Sequence, residues 1–323
     1  GTAIVYSTTV KAEKDERGVK LVQGLMDRWP TYRDKSFLHL VSVPGGARRR
    51  LTAGDLTTSA VAFSPDGGRL LFTRSVEQLD QRPYSRTELW ELDLSDLAAR
   101  KMRDFLWFTD GAYSPDGQRI LVAAGATEFD GAGLDLPEGV IPNTYDGQLF
   151  LWDPATDEAE PITRDFDPSV TDARWSHADG MIYLTAEDRD LVRLYRYDPS
   201  ARTFTIVETG NQQVRRFDLA QSAPTAALLG SSPWVPQRLI AVDLASGASR
   251  TLQHPAGDWF ADLRPGSTEE FSFDASSGRT IPGRVYLPPG FDPSRKYPAI
   301  VYYYGGTSPV TREFGGRYPK EWW

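Results

Sequence analysis

A mainly β protein, built as a β-propeller of four-stranded blades, is the fold class this sequence predicts. Three observations carry it. The first is a repeated turn. Ala62-Phe63-Ser64-Pro65-Asp66-Gly67 returns as Ala112-Tyr113-Ser114-Pro115-Asp116-Gly117, and in degraded form as Arg174-Trp175-Ser176-His177-Ala178-Asp179-Gly180. The second is an apolar strand that ends at Asp and a turn: Leu89-Trp90-Glu91-Leu92-Asp93-Leu94, Leu149-Phe150-Leu151-Trp152-Asp153-Pro154, Leu194-Tyr195-Arg196-Tyr197-Asp198-Pro199 and Leu239-Ile240-Ala241-Val242-Asp243-Leu244. The third is spacing, because the pattern recurs every ~40–60 residues, the size of a blade.

The turn has a physical reading. Pro presets φ near −65° at the second position of a type I turn. Asp bonds to nearby backbone, and Gly takes the position after it, where φ is often positive. An aromatic residue before the turn ends the first strand, and Arg69-Leu70-Leu71-Phe72-Thr73 or Arg119-Ile120-Leu121-Val122-Ala123 begins the second. A fourth strand follows a polar turn, as in Arg48-Arg49-Arg50-Leu51-Thr52, Ala159-Glu160-Pro161-Ile162-Thr163 and Ser249-Arg250-Thr251-Leu252. The pattern divides 1–254 into a partial blade (1–53) and four fuller ones (54–104, 105–165, 166–210, 211–254). The last keeps strands around Phe217-Asp218-Leu219 and Ala226-Ala227-Leu228-Leu229 but has lost the turn motif. Gly1–Thr9 aligns with the stretch that begins at Gly117, so the reading is of an incomplete ring that begins inside a blade, in a piece of a longer protein.

Long insertions at Val10–Ser36, Val76–Thr87 and Gly125–Gly147 all separate the second and third strands of a blade. This predicts one elaborated face and one plain face of the disc, with binding groups on the elaborated one. The first insertion is charged and reads as a short helix through Leu21-Val22-Leu25-Met26.

Composition narrows the classes of function. Forty per cent hydrophobic and 12 % aromatic residues fit a globular chain. A net charge of −8 argues against a nucleic-acid binder. The absence of Cys removes disulfides and thiolate metal sites, and leaves the compartment open between periplasm, exterior and cytoplasm. No apolar run has the ~20 residues a membrane helix needs. No HExxH, Walker or GxGxxG motif is present, so neither metal nor cofactor is expected.

After Asp258 the chain changes character. Glu269-Glu270-Phe271-Ser272-Phe273 and Thr280-Ile281-Pro282-Gly283-Arg284-Val285-Tyr286-Leu287 read as a hairpin, and Ala299-Ile300-Val301-Tyr302-Tyr303-Tyr304 reads as a strand buried on both faces. Here Gly283-x-Val285-Tyr286-x-Pro288, Phe291-Asp292-Pro293, Lys296-Tyr297-Pro298 and Tyr304-Gly305-Gly306 resemble the start of the catalytic domain of the prolyl oligopeptidase family of serine peptidases. That family joins a propeller to an α/β-hydrolase domain. The resemblance implies a propeller over 1–262 and the first strands of a hydrolase domain over 263–323. It also implies that Tyr304 is a catalytic residue, its hydroxyl stabilising the tetrahedral oxyanion; the plainer reading of Tyr304 is a packed strand tyrosine.

No Gly-x-Ser-x-Gly elbow lies in these 323 residues. His39, His177 and His254 do not follow a Ser and an Asp in hydrolase order, and they read as structural or surface residues. The triad is therefore expected outside this chain, with a peptide as substrate of the full-length enzyme and the propeller as its gate. The dipeptidyl branch of the family uses a Glu pair inside the propeller. Glu269-Glu270 lies outside it and does not match. The alternative is a stand-alone propeller that binds a partner. Either way, an opened ring has unpaired edge strands, which predicts self-association as a homo-oligomer or aggregate.

Overall fold

The computed structural model describes residues 2–12, 34–78, 80–137, 139–142, 146–257, 260, 262–303, 312 and 314. The helix expected through Leu21–Met26 and the candidate Tyr304 lie outside them. The chain divides into two compact units, Gly1–Phe166 and Asp167–Trp323.

The first unit holds three antiparallel sheets. β1 (Ala3–Val10), β2 (Lys35–Ser42) and β3 (Arg48–Arg50) form the partial blade. β4 (Thr58–Phe63), β5 (Arg69–Glu77), β6 (Ser85–Asp93) and β7 (Ala99–Phe105) form the next, in sequence order. β8 (Phe108–Tyr113), β9 (Ile120–Gly125), β10 (Gly147–Asp153) and β11 (Glu158–Pro161) form the third. Leu70 and Leu71 are neighbours on β5 and both are buried, yet they serve different cores. Leu70 packs with Leu38, Phe72 and Leu92. Leu71 packs with Phe105, Ile120, Phe150 and Trp152. Adjacent strand residues point to opposite faces, so this sheet is covered on both sides, as a propeller blade is.

The repeated turn closes as its residues dictate. Gly67 N–H donates to Ser64 O at 2.8 Å, and Gly67 takes φ +73°, which favours glycine. Serine holds the motif together. Its hydroxyl donates to Asp66 at 2.5 Å and accepts from Arg69 N–H at 2.9 Å, while Asp66 accepts from Gly68 N–H at 3.0 Å. Ser114 and Asp116 repeat each bond with Arg119 and Gln118. The threonine after the fourth strand repeats too. Leu38 N–H donates to Thr52 Oγ1 at 2.9 Å and Leu149 N–H to Thr163 Oγ1 at 2.8 Å. These hydroxyls satisfy strand donors beyond the end of the ladder.

Charged groups fill the seams between blades. Glu91 of β6 accepts from Tyr113 OH of β8 at 2.7 Å and pairs with Arg69 and Arg100 at 3.0 and 3.1 Å. Burial first, then the bond to Glu91, pushes the Tyr113 phenol far above its ordinary range. Within the Gly125–Gly147 insertion, Phe129, Asp130 and Gly131 make a left-handed turn with φ of 51°, 58° and 80°. Glu128 clamps that turn by accepting from Leu106 and Trp107 N–H at 2.8 and 2.7 Å.

The second unit holds β12 (Ser169–Trp175), β13 (Ile182–Asp188), β14 (Leu191–Asp198) and β15 (Thr203–Val207), then β16 (Gln213–Leu219), β17 (Thr225–Ser232), β18 (Val235–Asp243) and β19 (Ser249–Gln253). A parallel bridge from Val192 to Gln213 joins the two blades. Their shared core includes Tyr183, Leu194, Phe217, Leu228 and Ile240. The hairpin β20 (Ser267–Asp274) and β21 (Thr280–Leu287) follows, as expected. One expectation fails. Ala299–Tyr303 is not a strand, and Ile300, Val301 and Tyr303 are 76 %, 85 % and 86 % exposed. A strand of this kind forms only with hydrogen-bonded strands on its edges, and among the described residues no strand pairs with this run.

The buried turn serine sets a test. Ser114→Ala removes a hydroxyl that bonds twice inside a 1 %-exposed residue, and is expected to cost about 1–2 kcal/mol in urea unfolding at pH 7. The Ser114 hydroxyl, then Gln118 N–H, hold the Asp116 carboxyl below its usual range. A depressed native pKa stabilises above the unfolded value, about 4, and that stability is lost as pH falls through the native value. The acid limb of the wild type's stability profile should therefore be steeper than that of the variant. Parallel profiles would show that the hydroxyl does not control the carboxylate.

Candidate functional site

A cleft of the second unit lies where two blade connections meet the β20–β21 hairpin. It encloses about 520 Å³. The tight β13–β14 turn supplies Asp188, Arg189 and Asp190, the β15–β16 connection supplies Glu208 and Asn211, and Glu270 and Arg312 close it. Strand tips carry these groups because the strand interiors are committed to packing, whereas connections tolerate charge.

Most of its polar groups are paired with each other. Arg312 donates to both carboxylate oxygens of Asp190, at 2.9 and 3.1 Å, and pairs with Glu270. Arg284 approaches Asp190 Oδ2 at 2.9 Å, and Arg193 meets Asp188 at 3.1 Å. Asn211 donates to Thr209 O at 2.7 Å and accepts from Arg238 at 3.1 Å. Burial counts against the Arg312 charge, but its bonds to Asp190 and Glu270 outweigh this and raise its pKa. The cleft is thus close to charge-balanced and holds protein against protein. Among the described residues, no group of three His, Asp or Glu side chains is arranged to hold a metal.

The hairpin has two unlike faces, and its alternation decides which face docks. Thr268, Glu270, Arg284 and Tyr286 lie on one face by register. Trp234, at the β17–β18 tip, donates to Thr268 at 2.8 Å and meets the Tyr286 ring edge-on at 5.9 Å. With Arg284 and Glu270 on Asp190 and Arg312, this polar face sits on the blade tips. Phe271, Phe273, Ile281 and Val285 share the other face and stay 48 %, 54 %, 39 % and 40 % exposed. The Phe271 ring lies over Gly283, where a Cβ would come within 2.4 Å of it. Four large apolar side chains on one bare sheet face form the kind of patch that marks an interaction surface.

The structure also places the residues singled out from the sequence. Glu269 and Glu270 fall on opposite faces, opposite Val285 and Arg284, so they cannot clasp one ammonium together. His39 stacks on Tyr6 at 5.4 Å, His177 lies in the degraded turn, and His254 faces Phe260 at 6.5 Å. Asp190 and Arg312 were not legible as a pair. The charged turn Asp188-Arg189-Asp190 was the available signal, but a partner 122 residues away leaves no local trace.

Comparison with known proteins bears on the fold. No family model matches the chain. It is 25 % identical over 202 residues to a probable dipeptidyl-peptidase 5 of Aspergillus niger, covering 60 % of this chain and 25 % of that protein. It is 26 % identical over 256 residues to a dipeptidyl-peptidase 5 of Porphyromonas gingivalis, covering 78 % and 35 %. The chain thus spans about a quarter to a third of the curated relatives it matches. Among solved structures, an acylaminoacyl peptidase of Pyrococcus horikoshii superposes with a TM-score of 0.65 at 16 % identity, over 89 % of this chain and 42 % of that one. A puromycin hydrolase gives 0.61 at 20 %, over 87 % and 43 %. TolB of Acinetobacter baumannii gives 0.51 at 15 %, over 78 % and 57 %. These likenesses show the propeller fold. Together with the curated relatives, they support a propeller-like fragment similar to those of prolyl oligopeptidase-family peptidases.

Proposed function

We propose that this chain is the substrate-gating propeller of a serine peptidase, together with the leading strands of its hydrolase domain. The whole enzyme hydrolyses short peptides, and its Ser-Asp-His triad lies outside these 323 residues. The domain boundary falls near residue 262 in this reading. The observation that carries it is the two-faced hairpin. A polar face seated on the blade tips and a bare apolar face suit a strand pair with a propeller on one side and a catalytic body on the other. The curated relatives, both named dipeptidyl-peptidase 5, favour dipeptide release.

In this mechanism a rigid ring limits entry to extended peptides. The Tyr304 hydroxyl donates to the oxyanion that forms when the nucleophile attacks the scissile carbonyl. A donor fixed in a dry site needs no reorganisation as the charge develops, so it lowers the barrier more than the ground state.

The second reading is a stand-alone propeller that binds a partner without catalysis. The hairpin separates the two, because a stand-alone scaffold has no cover for Phe271 and Phe273. A fluorophosphonate probe is expected to label the longer gene product on a serine of a Gly-x-Ser-x-Gly elbow, and to leave the 323-residue chain unlabelled. Tyr304→Phe in the longer protein should lower kcat about 100-fold with little change in KM. A longer product that lacks the elbow, or remains unlabelled, would establish the scaffold instead.

The bare face has its own test. Phe271→Ser with Phe273→Ser is expected to reduce dye binding by the 323-residue chain and, in light scattering, its self-association. The same pair should destabilise the longer protein. Unchanged dye binding would show that the exposed apolar surface lies elsewhere.

A further inference from the structure

The start of the third blade's insertion, residues 127–134, is pulled two ways. Phe129 and Asp130 both take left-handed backbone, with φ 51°, ψ 50° and φ 58°, ψ 32°, before Gly131 follows at φ 80°. Two successive residues with side chains rarely hold that conformation, because Cβ crowds the following carbonyl. Such strain persists only where surrounding contacts impose it. The segment's own bonds are weak: Gly131 N–H donates to Thr127 O and Ala132 N–H to Phe129 O, both at 3.2 Å.

Two side chains impose it. The buried Phe129 ring meets Phe105 edge-on at 5.6 Å, Phe150 at 5.0 Å and Trp152 at 6.0 Å, with the Arg103 guanidinium 4.6 Å above it. The equally buried Glu128 reaches out of the segment, where one oxygen accepts both Leu106 and Trp107 N–H. A carboxylate oxygen on two consecutive N–H groups holds direction as well as distance. Yet among the described residues no cation pairs with Glu128, and Arg103 Nη1 is engaged by both oxygens of Asp157 at 2.7 and 2.8 Å. Burial is the largest influence on the Glu128 carboxyl and pushes its pKa up, against the pull of both N–H bonds. The closed segment therefore carries strained backbone and an unpaired buried charge together. We propose that residues 127–134 form a latched strap: Glu128 holds it shut on Leu106 and Trp107, and release lets the left-handed turn relax and Phe129 leave the blade core. The sheet beneath does not move with it, because Ile120, Leu121 and Val122 of β9 are almost fully buried. In the shut state Phe129 belongs to the core; in the open state its place among Phe105, Phe150 and Trp152 is bare. Neither strap nor latch rests on the peptidase reading.

Hydrogen exchange of the 323-residue chain at neutral pH measures the opening. The Gly131, Ala132 and Leu134 amides report the strap, and the Leu121 and Val122 amides report β9. Glu128→Ala is expected to lower strap protection factors about tenfold and to leave those of β9 within about twofold. Glu128→Gln, whose amide oxygen can accept the same two bonds, should stay within about threefold of wild type. Asp130→Gly, at an exposed position outside the latch, should raise strap protection about threefold by relieving the left-handed strain. Strap protection that stays within about twofold of wild type in Glu128→Ala would overturn the latch. So would a loss in Glu128→Gln as large as that in Glu128→Ala. Where Glu128→Ala loosens β9 equally, the blade itself has unfolded and Asp130→Gly carries the test. Protection in Asp130→Gly at or below that of wild type would then overturn the strained strap.

Discussion

A blade whose sheet is apolar on both faces cannot stand alone, and this constraint governs the rest of the structure. Leu70 and Leu71 show it on one strand, one serving the core toward β2 and the other the core toward β9 and β10. At ~25 cal/mol per Å², burying either leucine is worth about 2 kcal/mol, and each needs its own neighbour. Stacking sheets face to face is the geometry that satisfies both, and the sheet edges then become the surface on which connections are built. The polar repeats serve the same end. The Ser-Pro-Asp-Gly turn and the Thr52 and Thr163 hydroxyls satisfy backbone donors where the ladders end.

The hairpin β20–β21 obeys a different rule. Its alternation is strict, but the polar face is the one that docks. This reverses the pattern of a half-buried surface sheet, in which the apolar face turns inward. Trp234 donates to Thr268 and meets Tyr286 edge-on, and Asp190 lies 2.9 Å from Arg284, so these contacts seat the hairpin on the blades. The cost falls on the other face, where Phe271 and Phe273 stay open to solvent. The hairpin thus presents a docked polar face and an exposed apolar one.

Repetition made most of the fold legible in the sequence. Ser64 and Ser114 recur with the same neighbours, so their turn could be recognised before the bonds were seen, and each strand after it could be placed by its period of two. The hairpin was legible for the same reason. The run Ala299–Tyr303 misled because composition reports that a segment needs burial, not that partners exist to bury it. The site was far less legible. Asp190 sits in an ordinary charged turn, and nothing local points to Arg312 or Arg284. Glu269-Glu270 looked like a pair in one dimension, but β geometry sends the two side chains to opposite faces.

This division between legible fold and hidden site has a physical cause. Core positions are set by area and periodicity, which the chain displays locally, whereas the cleft is set by long-range charge pairing, which it does not. Asp190 can be placed at a blade tip only because the blade beneath it is saturated by packing. Ile182, Tyr183 and Leu184 are all fully buried, so the strand leading to that tip has little freedom to move. A carboxylate carried on so rigid a support can orient a distant arginine. The packed blade thus fixes the tip on which the Asp190–Arg312 pair is built.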